Sequence, residues 1–129
     1  MKQRWHILYY ESETGICPVK KFIDSCKDRE QAKIFSWISL LEEKGPNLLR
    51  PYGDLLTDGI HELRIKLSGD QVRLLYFFCY KDFIILTHSF RKHTIAVPRS
   101  EIKKAQAYRT DFLGRYTETK LREEMDENL

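Results

Sequence analysis

Three runs of strand-forming residues lie so close together in this chain that an antiparallel meander is the arrangement they allow. Ile60-His61-Glu62-Leu63-Arg64-Ile65-Lys66-Leu67 alternates strictly, with Leu63, Ile65 and Leu67 on one face and Glu62, Arg64 and Lys66 on the other. Ser68-Gly69-Asp70 is a turn signal, and Gln71 to Tyr80 follows as a near-continuous apolar run broken by Arg73. Such a run reads as a central strand covered on both faces. Lys81-Asp82 turns the chain again before a further buried strand, Phe83 to Phe90. Connections this short leave no room for a crossover helix, so neighbouring strands run antiparallel.

The flanks are helical. Trp5 to Tyr10 is aromatic and β-branched enough for a first strand, and Thr14 to Pro18 breaks it. Pro18 suits the first turn of a helix, where its missing N–H is an orphan anyway, and Val19, Phe22, Ile23 and Cys26 recur at helical spacing. A longer helix follows with Ile34, Phe35, Ile38 and Leu41 on one face, Asp28, Glu30, Lys33, Glu42 and Glu43 largely off it, and Gly45-Pro46 as its stop. Asn47 to Gly59 reads as a connector. Pro98 opens a last helix through about Leu113, with Ile102, Ala105, Arg109 and Phe112 on one stripe. After Gly114 the alternating charges show no apolar face strong enough to dock, so the tail reads as a frayed helix or disordered segment. The expected fold is α+β: a helical hairpin packed as one layer on a small antiparallel sheet, in the order β-α-α-β-β-β-α. At 129 residues the chain fits a single domain over residues 1–115 with a charged tail over 116–129.

Charge is unevenly spread. Met1 to Ile60 carries nine basic and nine acidic residues, His61 to Arg115 eleven and five, and Tyr116 to Leu129 two and five. The bland net charge of +3 hides a basic segment followed by an acidic tail, an asymmetry that points to a polyanion, nucleic acid first. Cys17, Cys26 and Cys79 form no close pair, a poor disulfide framework and a poor zinc site that suits free thiols in a reducing compartment. The apolar stretch near the N-terminus is cut short by Glu11 with no small-residue cleavage site, and no run is long enough to span a membrane. A cytoplasmic protein is expected.

Metal chemistry is not written in the sequence. His6, His61, His88 and His93 lack helical ligand spacing and a carboxylate cluster. There is no glycine-rich phosphate loop and no nucleophile elbow, so no metal or cofactor is expected. The cations are more informative. Arg64 and Lys66 share a strand face about 7 Å apart, Arg73 interrupts an apolar strand, and Arg91-Lys92-His93 closes the last one. Paired through the turns, these groups converge on one side of the sheet. A solvated outer face explains Arg64 and Lys66 equally well, and a solvated loop explains Arg91 to His93. It explains Arg73 less well, because a charge in a central strand must be paired or functional. Fixed Arg and Lys donors stabilise the charge that builds on a phosphodiester in its transition state. In RNA the 2′-hydroxyl is itself the nucleophile, so alignment, a base and an acid suffice, and His93 is the one histidine beside the cluster. A module that binds nucleic acid and cleaves nothing would use the same cations.

Gly59-Ile60-His61-Glu62-Leu63-Arg64-Ile65-Lys66, then Arg73-Leu74-Leu75-Tyr76-Phe77-Phe78, then Phe90-Arg91-Lys92-His93-Thr94 and Pro98-Arg99-Ser100-Glu101-Ile102-Lys103-Lys104-Ala105 together resemble the RelE/HigB-type toxins of bacterial type II toxin–antitoxin modules. They are most similar to the phage-derived branch, with its E-L-R strand, R-x-x-Y strand, F-x-K-K-T element and P-x-x-E-I-x-x-A helix. The resemblance covers about residues 4 to 113. It implies a RelE-like fold and a metal-independent endoribonuclease that cuts messenger RNA on the ribosome and is neutralised by a helix-turn-helix antitoxin encoded alongside. On that reading Arg64, Arg73, Lys92 and His93 are catalytic, and Lys66, Arg91, Lys103 and Lys104 bind RNA. Tyr76 points away from Arg73 in a regular strand and suits core packing. His93 stands where the family has a second lysine, a change that either supplies a proton shuttle or removes a phosphate contact, and Val97 stands where a capping Thr is usual. A gyrase-inhibiting relative similar to ParE, and an inactive prophage-derived binding remnant, are the alternatives.

Overall fold

The computed structural model describes residues 4–127. Five strands, β1 (His6–Tyr9), β2 (Gly53–Thr57), β3 (Ile60–Leu67), β4 (Asp70–Cys79) and β5 (Phe83–Lys92), form one sheet in the order β1-β5-β4-β3-β2. Helices α1 (Pro18–Asp24) and α2 (Asp28–Lys44) lie between β1 and β2, and α3 (Arg99–Arg115) and α4 (Glu118–Glu127) follow β5. The meander forms as expected, β3 against β4 and β4 against β5, both antiparallel.

The order differs from β-α-α-β-β-β-α at two places. The connector contains β2, which pairs antiparallel with β3 across Asp58-Gly59, both at positive φ (50° and 73°). Asp-Gly is the dipeptide that a two-residue hairpin of opposite twist demands, so the signal was in the sequence. Gly53 and Asp54 hid it, being weak strand formers that cross-strand pairing with β3 recruits. The tail contains α4, and it docks: Leu121 is 4% exposed within an apolar cluster with Phe83 and Phe112. Arg122 anchors it, bonding the Tyr80 carbonyl at 3.0 Å and Asp82 Oδ1 at 2.7 Å. A single apolar residue per turn escapes a periodicity argument, and here one suffices because Arg122 holds the helix in place. Leu121→Ala should therefore cost about 2–4 kcal/mol, read as a lowered urea midpoint; a change under about 0.5 kcal/mol would show α4 to be undocked in solution.

Two further expectations are corrected. The sheet is mixed, because β1 joins the far edge of β5 in parallel, His6 opposite Phe83 and Tyr9 opposite Leu86. The sheet also carries helices on both faces. Val19, Ile23, Ile34, Ile38 and Leu41 of α1 and α2 pack on Leu63, Ile65, Leu74, Ile84 and Leu86. Ala105, Phe112 and Leu121 of α3 and α4 pack on Ile60, Leu75, Phe77, Phe83 and Ile85 from the opposite face. This explains why β4 and β5 read as continuous apolar runs. Within α2, Phe35 is 48% exposed while Glu30 is buried, where its carboxylate accepts from the Lys27 N–H and the Ser68 hydroxyl. Among the described residues no helix is long and apolar enough to cross a membrane.

Candidate functional site

On the face that carries α3, the strands place side chains in rungs. Glu62, Leu75 and His88 make one rung, Arg64, Arg73 and Phe90 the next, and Lys66, Gln71 and Lys92 the last. Directly opposed residues of antiparallel strands share a face, so these groups are neighbours by register. Helix α3 begins over the first rung, where Glu101 of its first turn lies 3.4 Å from His88 Nε2. The two rungs beyond it form a cationic field.

Its centre is a carboxylate shared by two guanidiniums. Glu62 Oε1 lies 2.9 Å from Arg73 Nε and Glu62 Oε2 lies 2.8 Å from Arg64 Nη1, with the Glu62 and Arg73 side chains each 2% exposed. Arg73 also donates to Gln71 Oε1 at 3.2 Å and to the Val72 carbonyl at 3.1 Å. Burial pulls the Arg73 guanidinium below its usual range and Glu62 opposes the shift. It stays charged, as Arg does in proteins. A residue so enclosed can position Glu62 and Arg64 and add to the local potential, while its own contact with a ligand is blocked. Arg64 is the partly open member, 29% exposed. Lys92 is half-buried, and its ammonium is drawn below the usual lysine range by burial and by Arg73 and Arg64. Lys66 is exposed at the β3 edge.

The remaining expected residues are placed differently. Arg91 lies opposite Val72, on the other face of the sheet, where its guanidinium sits over the Phe22 ring and pairs with Asp70 at 2.7 Å. It does not join the cluster, since alternation along β5 sends it to the α1 side. His93 follows Lys92 just beyond the end of β5 and is exposed. Lys103 and Lys104 are exposed on α3, Lys104 within 3.3 Å of Glu101. Tyr76 is buried on the α2 side, stacked on His61 with ring centroids 5.2 Å apart, and burial raises its hydroxyl pKa.

Glu62 and His88 are the residues that sequence reasoning passed over. Glu62 was legible as Arg64's neighbour two residues away on one strand face, but its burial depends on Arg73 arriving from β4. His88 is 4% exposed, with Nδ1 3.1 Å from the Thr87 hydroxyl and its ring stacked on Phe90. Burial, with Lys104 adding and Glu101 opposing, lowers its pKa to about 4, so it is neutral near pH 7. An unfolded His titrates near 6.5. Above that pH neither state binds the proton and stability is flat; as pH falls from about 6.5 to about 4 only the unfolded chain is protonated, and stability is lost. The loss should total on the order of 3 kcal/mol. The fall in urea midpoint between pH 7.5 and 5 should be smaller in His88→Gln than in wild type, the remainder including His61, which burial also holds below the usual histidine range, and an equal fall in both would disprove the assignment. Among the described residues no three His, Cys, Asp or Glu side chains group as a metal site would.

The sequence model of the family described as phage-derived protein Gp49-like (DUF891) matches residues 21–110, which takes in α2, the whole meander and the cationic rungs. The chain belongs to the phage-derived Gp49-like family. That family lies within the RelE/ParE-like toxin superfamily, so this Gp49-like chain is a phage-derived, toxin-like protein. No curated protein matches the chain.

Proposed function

We propose that this Gp49-like protein is the toxin of a type II toxin–antitoxin module, a metal-independent endoribonuclease of RelE/HigB type that cuts messenger RNA on the ribosome. The observation that carries the reading is the Arg64–Glu62–Arg73 arrangement with Lys92 beside it. A buried carboxylate fixes two guanidiniums on a rigid strand pair, and Arg64 and Lys92 are left open at the end of α3. Preorganised cations of this kind stabilise charge that develops on a phosphoryl group without reorganising during the reaction.

In the proposed reaction the RNA 2′-oxygen attacks the adjacent phosphorus as its proton passes to His93. The P–O5′ bond breaks, and Lys92 gives a proton to the departing 5′-oxygen. The products are a 2′,3′-cyclic phosphate and a free 5′-hydroxyl. Arg64 holds the non-bridging oxygens, and Lys66, Lys103 and Lys104 meet flanking phosphates, each contributing salt-sensitive affinity. So small a catalyst takes substrate alignment from the ribosome. An adjacent helix-turn-helix antitoxin is the expected partner.

Induced expression in bacteria, followed by primer extension on translated messages, tests this reading. Growth arrest with discrete cuts inside coding regions is expected. Arrest with DNA damage and intact messages would instead identify a ParE-like gyrase poison, and salt-sensitive RNA binding with no cuts would identify an inactive remnant.

A further inference from the structure

A second feature lies at the edge of the sheet, outside the cationic rungs. Where α2 meets the segment leading into β2, a cavity of about 670 Å³ opens, lined by Trp37 and Leu40 from the helix and by Leu49 and Tyr52 from the segment, with Lys44 and Arg50 among its polar groups. That volume lies within the ~300–1,000 Å³ of small-ligand sites. The Trp37 and Tyr52 rings stand 5.9 Å apart at 58°. Lys33 Nζ lies 5.3 Å from the Trp37 ring centre. Tyr52 is 42% and Leu49 70% exposed. Among the described residues no carboxylate lines the cavity.

The cavity is joined to the cationic field. The Arg64 N–H donates to the Tyr52 carbonyl at 2.7 Å, so the segment is stitched to the strand that carries the field. Arg50 is near enough to Arg73 to add to the positive potential there. Its own partner is the half-buried Asp54 at 2.9 Å, but the Arg50 side chain itself is 68% exposed, and a pair so open to water is weak enough to exchange for a phosphate. An exposed Tyr52 ring beside a half-buried Trp37, cations whose one carboxylate partner, Asp54, stands outside the lining, and continuity with the cationic rungs are the combination by which proteins hold single-stranded nucleic acid. An apolar protein segment would use the rings and leave Lys44 and Arg50 without a purpose.

We propose that this cavity is a nucleobase subsite: an unpaired base of a single-stranded RNA stacks against Tyr52 and Trp37, Lys44 and Arg50 hold the phosphates beside it, and the strand continues over the β3 edge to Arg64 and Lys92. The identity of the strand rests on the ribonuclease reading; the subsite's chemistry does not require cleavage.

Fluorescence anisotropy at low salt tests it, using a labelled 2′-O-methyl oligoadenosine, which cannot be cut, and an abasic oligomer of the same length. Wild type should bind the oligoadenosine more tightly than the abasic strand. Tyr52→Leu should weaken oligoadenosine binding about 5- to 100-fold and leave abasic binding unchanged. Tyr52→Phe should restore wild-type affinity, since the Tyr52 ring and not its hydroxyl makes the contact. Equal affinity of Tyr52→Leu and wild type for oligoadenosine overturns the subsite and gives the cavity to an apolar protein segment, as does equal binding of both oligomers by wild type. The two readings separate cleanly. Message cleavage by a Tyr52→Leu chain with unaltered oligoadenosine affinity sinks the subsite alone, whereas Tyr52-dependent binding by a chain that never cuts a message sinks the ribonuclease reading alone.

Discussion

Glu62→Gln should lower the unfolding free energy by about 3–5 kcal/mol, because it leaves the Arg73 guanidinium charged, 2% exposed and without its counter-charge. The Arg64 pair at 2.8 Å is lost with it, at a smaller cost, since Arg64 can turn toward water. A loss of this size is a large fraction of the stability of a domain of this length. The effect belongs to the broken pair and not to the carboxylate as such. Replacing both partners with apolar residues of similar volume, Glu62→Leu with Arg73→Met, should therefore cost less than Glu62→Gln alone. Urea titrations of the three proteins at pH 7 and constant salt would decide it. A Glu62→Gln midpoint within about 0.5 kcal/mol of wild type would mean that Arg73 reaches water.

Arg64→Ala should reduce message cleavage by about 10²–10³-fold, the usual cost of removing one fixed donor from a developing oxyanion. Stability should move by no more than about 1 kcal/mol, because Glu62 keeps its Arg73 partner. That separation makes Arg64 the informative substitution. Arg73→Ala abolishes the support of the site together with part of the fold, so its inactivity could not be attributed to chemistry. Cleavage rates on programmed ribosomes, measured beside thermal melts, distinguish the two. Full activity in a folded Arg64→Ala protein would remove Arg64 from the mechanism, and a melt lowered as far as in Glu62→Gln would recast it as structural.

How far the sequence reveals these features depends on whether the information is local. β3 matches its expected bounds, Ile60–Leu67, because strict alternation is a property of eight consecutive residues. Helix α2 ends at Gly45, at φ 54°, for a similarly local reason. Arg64, Arg73 and Lys92 come together because short turns fix the register of a meander, and register can be followed by counting. Burial is what counting cannot supply. Whether Arg73 faces a ligand or a carboxylate depends on Glu62 across the strand pair, and the docking of α4 depends on Arg122 reaching Asp82 from forty positions away. Arg91 was misplaced by treating three consecutive cations as one group, where a strand deals them to opposite sides.

The parallel pairing of β1 with β5 has a consequence for synthesis. His6 waits for Phe83, its partner 77 positions later, and Tyr9 for Leu86. While the chain is being made, the ribosome must deliver the entire meander before the first strand has anywhere to bind. Segments emerging earlier can form the α1–α2 hairpin but not the five-stranded sheet. The same late delivery applies to Lys92, the final residue of β5. The cationic rungs are therefore completed only after β5 has been delivered and Lys92 has joined Gln71 and Lys66, so an emerging chain that stops short of β5 carries the carboxylate and guanidiniums of β3 and β4 without their last cation.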